Sequence, residues 1–451
     1  MLQAYNGSSA QTLTYIVLYS TSWFFIPHFN TNFQAGSSKN QIRMWLPIIL
    51  VLTMAVSTSQ RSIRIDENGM KVETLLSPRF ELEPGEVCDK FFYRVDFPKG
   101  HIAVKKFDAE IVDDEGNSIP LTETYMHHWI FARIMIPKGV EPRRETVKIV
   151  GNSGVCAQLP QHFGLGSETR KTDTHVPDPY GIEVGRPAPE GYEEGWLLNL
   201  HAIDTRGAVD KMGCTECRCE LYNKTKEEVG DYPGGIICCF DGMRCRVKPG
   251  FDGGKRGLHL KYTVTYVDWN PSIVPVEIYI FDVADTLTWS DEIPGRHACR
   301  MEYQVDNACS AATPTNECVH SKRLTVSLPK GGDLIYGVAH QHSGALGSTL
   351  FGEDGRVLCN SLPIYGNGTE PGNEDGYLVG MSTCYPQPGS VKIAPNEKLT
   401  IISNYSNVHM HSGVMGYFYI LVAEPLPESN PIFHSHHLPG RSGKGRFSSL
   451  E

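Results

Sequence analysis

Long hydrophobic runs are nearly missing from this chain of 451 residues, and so is helical periodicity. The first absence excludes a protein threaded repeatedly through a membrane by helices. The second excludes helix bundles and coiled coils. A basic stripe is also lacking. Lys and Arg number 41 against 51 Asp and Glu, a formal charge of -10, so a surface built to neutralise nucleic-acid phosphates is not expected. Cysteine is not scarce. Thirteen residues of it exceed the usage of an ordinary cytosolic enzyme and point to an oxidising compartment where most would pair. The odd number leaves at least one thiol over.

The one apolar run, 44–56, follows Arg43 and ends in the small residues Ala55, Val56 and Ser57. It resembles the core of a signal peptide and is short for a membrane-spanning helix, so 44–59 reads as a cleaved targeting segment. Residues 1–43, polar with scattered aromatics, are then either the product of an upstream start codon or a genuine extension that turns 44–56 into an anchor. With cleavage, no stable membrane span is expected, and the protein is secreted or held in an endomembrane lumen such as the apoplast or vacuole.

What is present is short alternation. Apolar and polar residues alternate over Trp129 to Ile136, His259 to Trp269, Val276 to Asp282, Leu324 to Leu328 and Val414 to Val422. Turn signals such as Pro137-Lys138-Gly139 and Pro329-Lys330-Gly331-Gly332 separate them. The fold class is therefore all-β, with two antiparallel, jelly-roll-like sandwiches over about 60–285 and 286–425 and a loose His-containing tail from 426 to 451. Between about 207 and 257 the rhythm breaks. Cys214, Cys217, Cys219, Cys238, Cys239 and Cys245 lie there among charges and glycines. Zinc ligation is one reading; a disulfide-stapled excursion is the one the compartment favours. Cys359 and Cys384 bracket a second excursion and are expected to pair. Sequons at Asn223, Asn367 and Asn404 permit glycosylation.

Six residues suit a metal: His127, His128, His201, His340, His342 and Met415. Imidazoles with one thioether fit copper, because soft sulfur favours Cu(I) and imidazole tolerates both oxidation states. His340 and His342 lie at i and i+2 on a strand-like run, so both face one side of a sheet. A cupin would need a Glu shortly afterwards, and Ser343 to Ser348 contains none. His127 and His128 are harder to place. Neighbours on a regular strand point to opposite faces, one into the core and one outward. Only a bulge or a strand end would aim both at one ion.

In order, His-His, a single His, His-x-His and a late Met on an aromatic strand resemble the ligand sequence of the copper type II, ascorbate-dependent monooxygenases, which include the peptidylglycine-hydroxylating and dopamine β-monooxygenases. Phe91-Phe92-Tyr93-Arg94-Val95 after Cys88, His127-His128-Trp129-Ile130-Phe131, Gly195 to His201 and Gly413 to Ile420 carry that likeness. Over nearly all of the mature chain the sequence is similar to the plant stress-up-regulated nodulin-like family, through His127-His128-Trp129, Cys214-Thr215-Glu216-Cys217-Arg218-Cys219 and Ala339-His340-Gln341-His342. The monooxygenase resemblance implies two copper ions. One, on His127, His128 and His201, would relay electrons from ascorbate. The other, on His340, His342 and Met415, would activate dioxygen. Each would sit in its own sandwich across a solvent-filled cleft. Tyr419 would stand near the second copper as a catalytic residue, and Cys88 would pair with Cys156.

Departures limit the analogy. Peptide-amidating members carry an Arg two residues before the His-x-His pair; here Val338 stands there, so peptide C-termini are not the expected substrate. The excursion at 207–257 lies between His201 and His340 and could cap the cleft. Two functions follow. One is a secreted copper monooxygenase hydroxylating a small apolar or aromatic molecule. The other is a non-catalytic secreted stress protein on the same scaffold.

Overall fold

In a computed structural model of the protein, the described residues are 63–151, 160–284, 301–309, 314 and 317–425, with two short strands at Leu18–Tyr19 and Ser22–Trp23. The targeting segment 44–59, Cys156 and the tail at 426–451 lie outside them. The chain is all-β. One sheet runs Val274–Pro275, Tyr180–Val184, Ile102–Asp113, Arg256–Asp268, Lys71–Leu76, Ile63–Ile65, with Phe80–Leu82 also on Arg256–Asp268. A second runs His162–Leu165, Thr124–Pro137, Tyr192–Asp204, Val87–Tyr93, with Lys148–Ile149 beside Thr124–Pro137. Their inner faces meet in a core of alternating residues from both sheets, including Phe107, Ile111, Trp129, Phe131, Leu198 and Tyr262. Ring centroids 4.6 Å apart for Phe131 and Tyr262, and 5.1 Å for Phe107 and Trp129, show how closely the aromatics fill it.

The other half is built the same way. One sheet orders Glu277–Asp282, Gly416–Ala423, Gly332–Gln341 and Lys392–Ile393; the facing one orders Val319–Ser327, Lys398–Ser406, Ala345–Phe351 and Val357–Ser361. Ile280, Ile335, Leu350, Ile401 and Phe418 pack between them. Glu277–Asp282 pairs along its whole length with Gly416–Ala423. Glu277–Asp282, which the local pattern assigned to the first sandwich, is thus a strand of the second half's sheet. The two cores also interleave. Val176 and Tyr180 are buried with the second core, and Tyr377 and Val379 with the first.

The excursion is disulfide-stapled. Cys214 bonds Cys245, Cys217 bonds Cys239, and Cys219 bonds Cys238. Its turns are locally encoded. Asp210 caps Lys211–Thr215 by accepting from the Gly213 N–H at 2.9 Å, and Thr225 with Glu228 forms a reciprocal capping box on Lys226–Val229. Cys359 and Cys384 are bonded, as are Cys309 and Cys318. Cys88 is a buried free thiol, whose pKa burial pushes up to about 12.

Candidate metal centre

The histidines converge because the Thr124–Pro137 strand bulges. Along its pairing with Tyr192–Asp204, His201 faces His128, yet the next residue, Ala202, faces Met126. His127 is the extra residue. Two residues therefore oppose one, and a bulge of this kind turns adjacent side chains towards the same side. The ligand-capable atoms of His127, His128 and His201 all lie within 4.8 Å of one another. The rings of His127 and His201 stack with centroids 4.4 Å apart; those of His128 and His201 are 5.1 Å apart.

His340 and His342 share a face of their strand, with centroids 5.3 Å apart. The resemblance implied a solvent-filled cleft between this pair and the first three histidines. The structure corrects that. His342 packs edge-on against His127 at 4.7 Å, and all five rings are buried. The excursion closes the site by docking on the second half. Ser412 Oγ donates to the Glu216 carbonyl at 2.8 Å, Gln304 Nε2 donates to the Gly234 carbonyl at 2.8 Å, and the Ile236 N–H donates to Glu302 Oε1 at 3.0 Å.

Hydrogen bonds at the rim set which nitrogens face inward. His128 Nε2–H donates to Asn199 Oδ1 at 2.8 Å, and Asn199 Nδ2 donates in turn to Asp89 Oδ1 at 2.9 Å. That leaves His128 Nδ1 as a free lone pair. His340 Nδ1–H donates to Glu168 Oε1 at 2.5 Å, which leaves Nε2 for a ligand. Carboxylate or amide partners of this kind fix the tautomer and raise the basicity of a metal-binding imidazole. Nδ1 of His127 and His128, both nitrogens of His201 and Nε2 of His342 are buried with no hydrogen-bond partner. The Cys239 backbone approaches His201 but not in hydrogen-bonding alignment. Burial, then the neighbouring imidazoles, hold His127 and His342 well below the usual histidine pKa. Burial pushes His128 down to about 3. The rings of His127, His128, His201 and His342 are neutral at physiological pH, the state in which imidazole binds metal. Five unpaired buried nitrogens, at roughly 1–3 kcal/mol each, are an expensive arrangement, and those that carry a lone pair could bind a cation.

Met415 lies between His411–Val414 and Gly416–Ala423, one residue beyond the Gln341–Gly416 pair, and is buried. The Tyr405 hydroxyl occupies the gap in the ladder there. It accepts from the His342 N–H at 2.6 Å and donates to the Met415 carbonyl at 2.7 Å. The Met415 backbone is thus tied to that of His342, and its side chain is buried with the second core. Tyr417 is the tyrosine nearest His340, with centroids 5.7 Å apart. Tyr419 lies one pleat further along, donating to His162 Nε2 at 3.1 Å, while His162 Nδ1–H donates to the Pro160 carbonyl at 2.9 Å. Burial lowers the His162 pKa to about 4.

Glu168, Asn199 and His162 are functional neighbours that the sequence patterns passed over. Asn199 could have been found, since it lies at i−2 from His201 on the same strand face. Glu168 could not, because it sits in the 3-10 turn Ser167–Arg170 and reaches His340 across 172 residues. Of the sequons, Asn223 and Asn367 are exposed, whereas Asn404 is half-buried mid-strand with its Oδ1 accepting from Ser321 at 2.6 Å.

A sequence model of stress up-regulated Nod 19 proteins matches residues 68–425. The chain belongs to this family. The matched span holds every histidine of the centre and the whole excursion. No curated protein matches in sequence. Among solved structures, a Penaeus vannamei nodavirus T=3 particle is 8% identical over 90% of this chain and 98% of its own, with a TM-score of 0.11. The infectious bursal disease virus VP2 subviral particle is 11% identical over 83% and 85%, with a TM-score of 0.13. Scores this low carry no argument about fold or function. Five disulfides among the described residues place this Nod 19 protein in an oxidising space, extracellular or lumenal. Among the described residues no helix is long and apolar enough to cross a membrane.

Proposed function

We propose that this is a copper-binding Nod 19 protein that hydroxylates a small apolar or aromatic molecule with dioxygen and ascorbate. The observation that carries the metal is the bulge at His127, which unites three histidines whose inward nitrogens have no other partner. The donor chemistry suits copper: imidazoles, with Met415 following the strand pairing next to His342. Bound copper would supply one-electron redox and oxygen activation. The chain's own part is to hold His127, His128 and His201 as one set and His340, His342 and Met415 as the other, with Glu168 and Asn199 orienting the rings.

The substrate reading rests on a neighbouring cavity of about 80 Å³ whose wall includes Trp129, Phe163, Ile278, Val338 and Leu421. Its lining is mostly apolar, and its polar groups include Lys106, Thr174 and the His162–Tyr419 pair. Val338 is two residues from His340 on the same strand face, so the cavity adjoins the second set. Val338 stands where an Arg would clamp a carboxylate, and Lys106 is the cation of the lining. Tyr419 is the proposed catalytic side chain, its phenol kept protonated by burial and the Glu168 charge.

One observation favours the non-catalytic reading. The centre is closed, with His342 against His127 and the excursion over both. Such a centre could hold copper in a secreted stress protein without turnover. Copper loading followed by ascorbate-dependent oxygen uptake, with small aromatic substrates, separates the two. The enzyme reading expects uptake that His127→Ala abolishes. Bound copper with no uptake by any variant leaves the storage reading.

A further inference from the structure

The excursion meets the metal centre at one bridge. Cys217 and Cys239 are bonded to each other and fully buried, and their sulfurs lie within 4.8 Å of a His201 nitrogen. His201 hydrogen-bonds at neither nitrogen. An imidazole carries its two nitrogens on different edges of the ring, so His201 is shared between the three-histidine set and this sulfur pair. A disulfide is a poor ligand, but two thiolates and an imidazole make three corners of a tetrahedral site for a thiophilic ion.

The three bridges of the excursion are nested. Cys214–Cys245 spans 31 residues, Cys217–Cys239 spans 22 and Cys219–Cys238 spans 19. The middle bridge is enclosed by the first and encloses the last. Opening it leaves the segment closed from both sides, and the contacts of Ser412, Gln304 and Glu302 that dock the excursion involve none of its sulfurs.

We propose that Cys217, Cys239 and His201 form a redox-controlled metal site. As a disulfide the pair holds nothing; reduced, it takes one thiophilic d10 ion, Zn(II) or Cu(I). A dithiol supplies two electrons and two protons, its own sulfurs joining as a cyclic disulfide. The Cys217–Cys239 bond breaks and two thiols form. The ion then displaces both thiol protons to solvent and gains two sulfur ligands and one nitrogen. Because His201 is common to both sites, filling both at once requires its ring to lose the N–H proton and lend both nitrogens. The site shares His201 with the copper reading but does not need that reading to be correct.

Cobalt(II) serves as the probe. The full oxidised chain is loaded with Cu(II) and its paramagnetic resonance recorded, which tests the histidine set separately. A second, metal-free portion is treated anaerobically with limiting dithiol, and the opened cysteines are identified by alkylation and mass spectrometry. Cobalt(II) is then added. The expected result is a thiolate-to-cobalt charge-transfer band at about one cobalt per chain, present only after reduction. It should be absent in the Cys217→Ser, Cys239→Ser double variant and weakened at least tenfold by His201→Gln. In the unaltered chain cobalt should shield Cys217 and Cys239 from alkylation, a result that does not depend on the variants folding. An open bridge with no band, a band that survives the double variant, shielding of other cysteines instead, or a bridge that opens only when the near-ultraviolet dichroism is lost would each overturn the site. A missing Cu(II) signal with the cobalt band intact would sink only the copper reading.

Discussion

At the level of single residues, the centre is a set of buried imidazoles. His162 and His128 have pKa values near 4 and 3, lowered by burial, whereas unfolded histidine titrates near 6.5. Above that value neither state binds a proton and stability is flat. As pH falls below it, the unfolded chain takes up protons that the folded chain refuses, so stability falls until the folded values are reached. Between about pH 7.5 and about pH 5, metal-free protein should lose about 2 kcal/mol through His162 and a similar amount through His128. Urea unfolding across that window checks it, and a flat profile would contradict the buried neutral cluster. Glu168→Gln removes the charge behind His340 while keeping its shape. Copper affinity at the second set should drop roughly 10- to 100-fold, measured by competition with a chelator. Met415→Ile roughly conserves volume and should cost under about 1.5 kcal/mol, yet it should end ascorbate-dependent oxygen uptake under the enzyme reading.

At the level of elements, the decisive feature is one extra residue in one strand. The sequence shows the difficulty of His127-His128 plainly, since alternation sends neighbours to opposite faces. It does not show the solution, because a bulge is a relation between two strands and only the pairing with His201 and Ala202 reveals it. His340 and His342 posed no such problem. Their spacing alone puts them on one face. The long strands bearing His128, His340 and Tyr419 were legible from alternation and flanking turns. Ile102–Asp113 was not, because most of its residues are buried and its charged positions, such as Lys105, do not follow solvent exposure. The turn that carries Glu168 to His340 depends on a glycine. A Cβ at Gly166 would stand 2.5 Å from the His127 carbonyl oxygen and 3.3 Å from the His340 ring. Gly166→Ala should therefore destabilise by about 1–3 kcal/mol and weaken copper at both sets together. A thermal melt and a metal titration on the same variant test this; an unchanged pair of values would mean that the turn does not press on the bulge.

At the level of the whole molecule, two sandwiches share their cores and a stapled excursion is docked over the histidines where they meet. The fold class and the stapling were readable from composition, turn spacing and the redox logic of thirteen cysteines. The closed centre was not, because it results from contacts between segments far apart in the chain, such as Glu216 with His411 and Ser412. Cys359–Cys384 closes a loop of 25 residues, and replacing both with Ala should cost about 3 kcal/mol in denaturant unfolding without changing metal content. The central claim is that the histidine sets hold copper. Elemental analysis of the secreted protein, loaded with copper and desalted, tests it most directly. The account predicts about two coppers per chain, with His340→Ala removing one and leaving the other. Less than one copper, or zinc retained in its place, would contradict it.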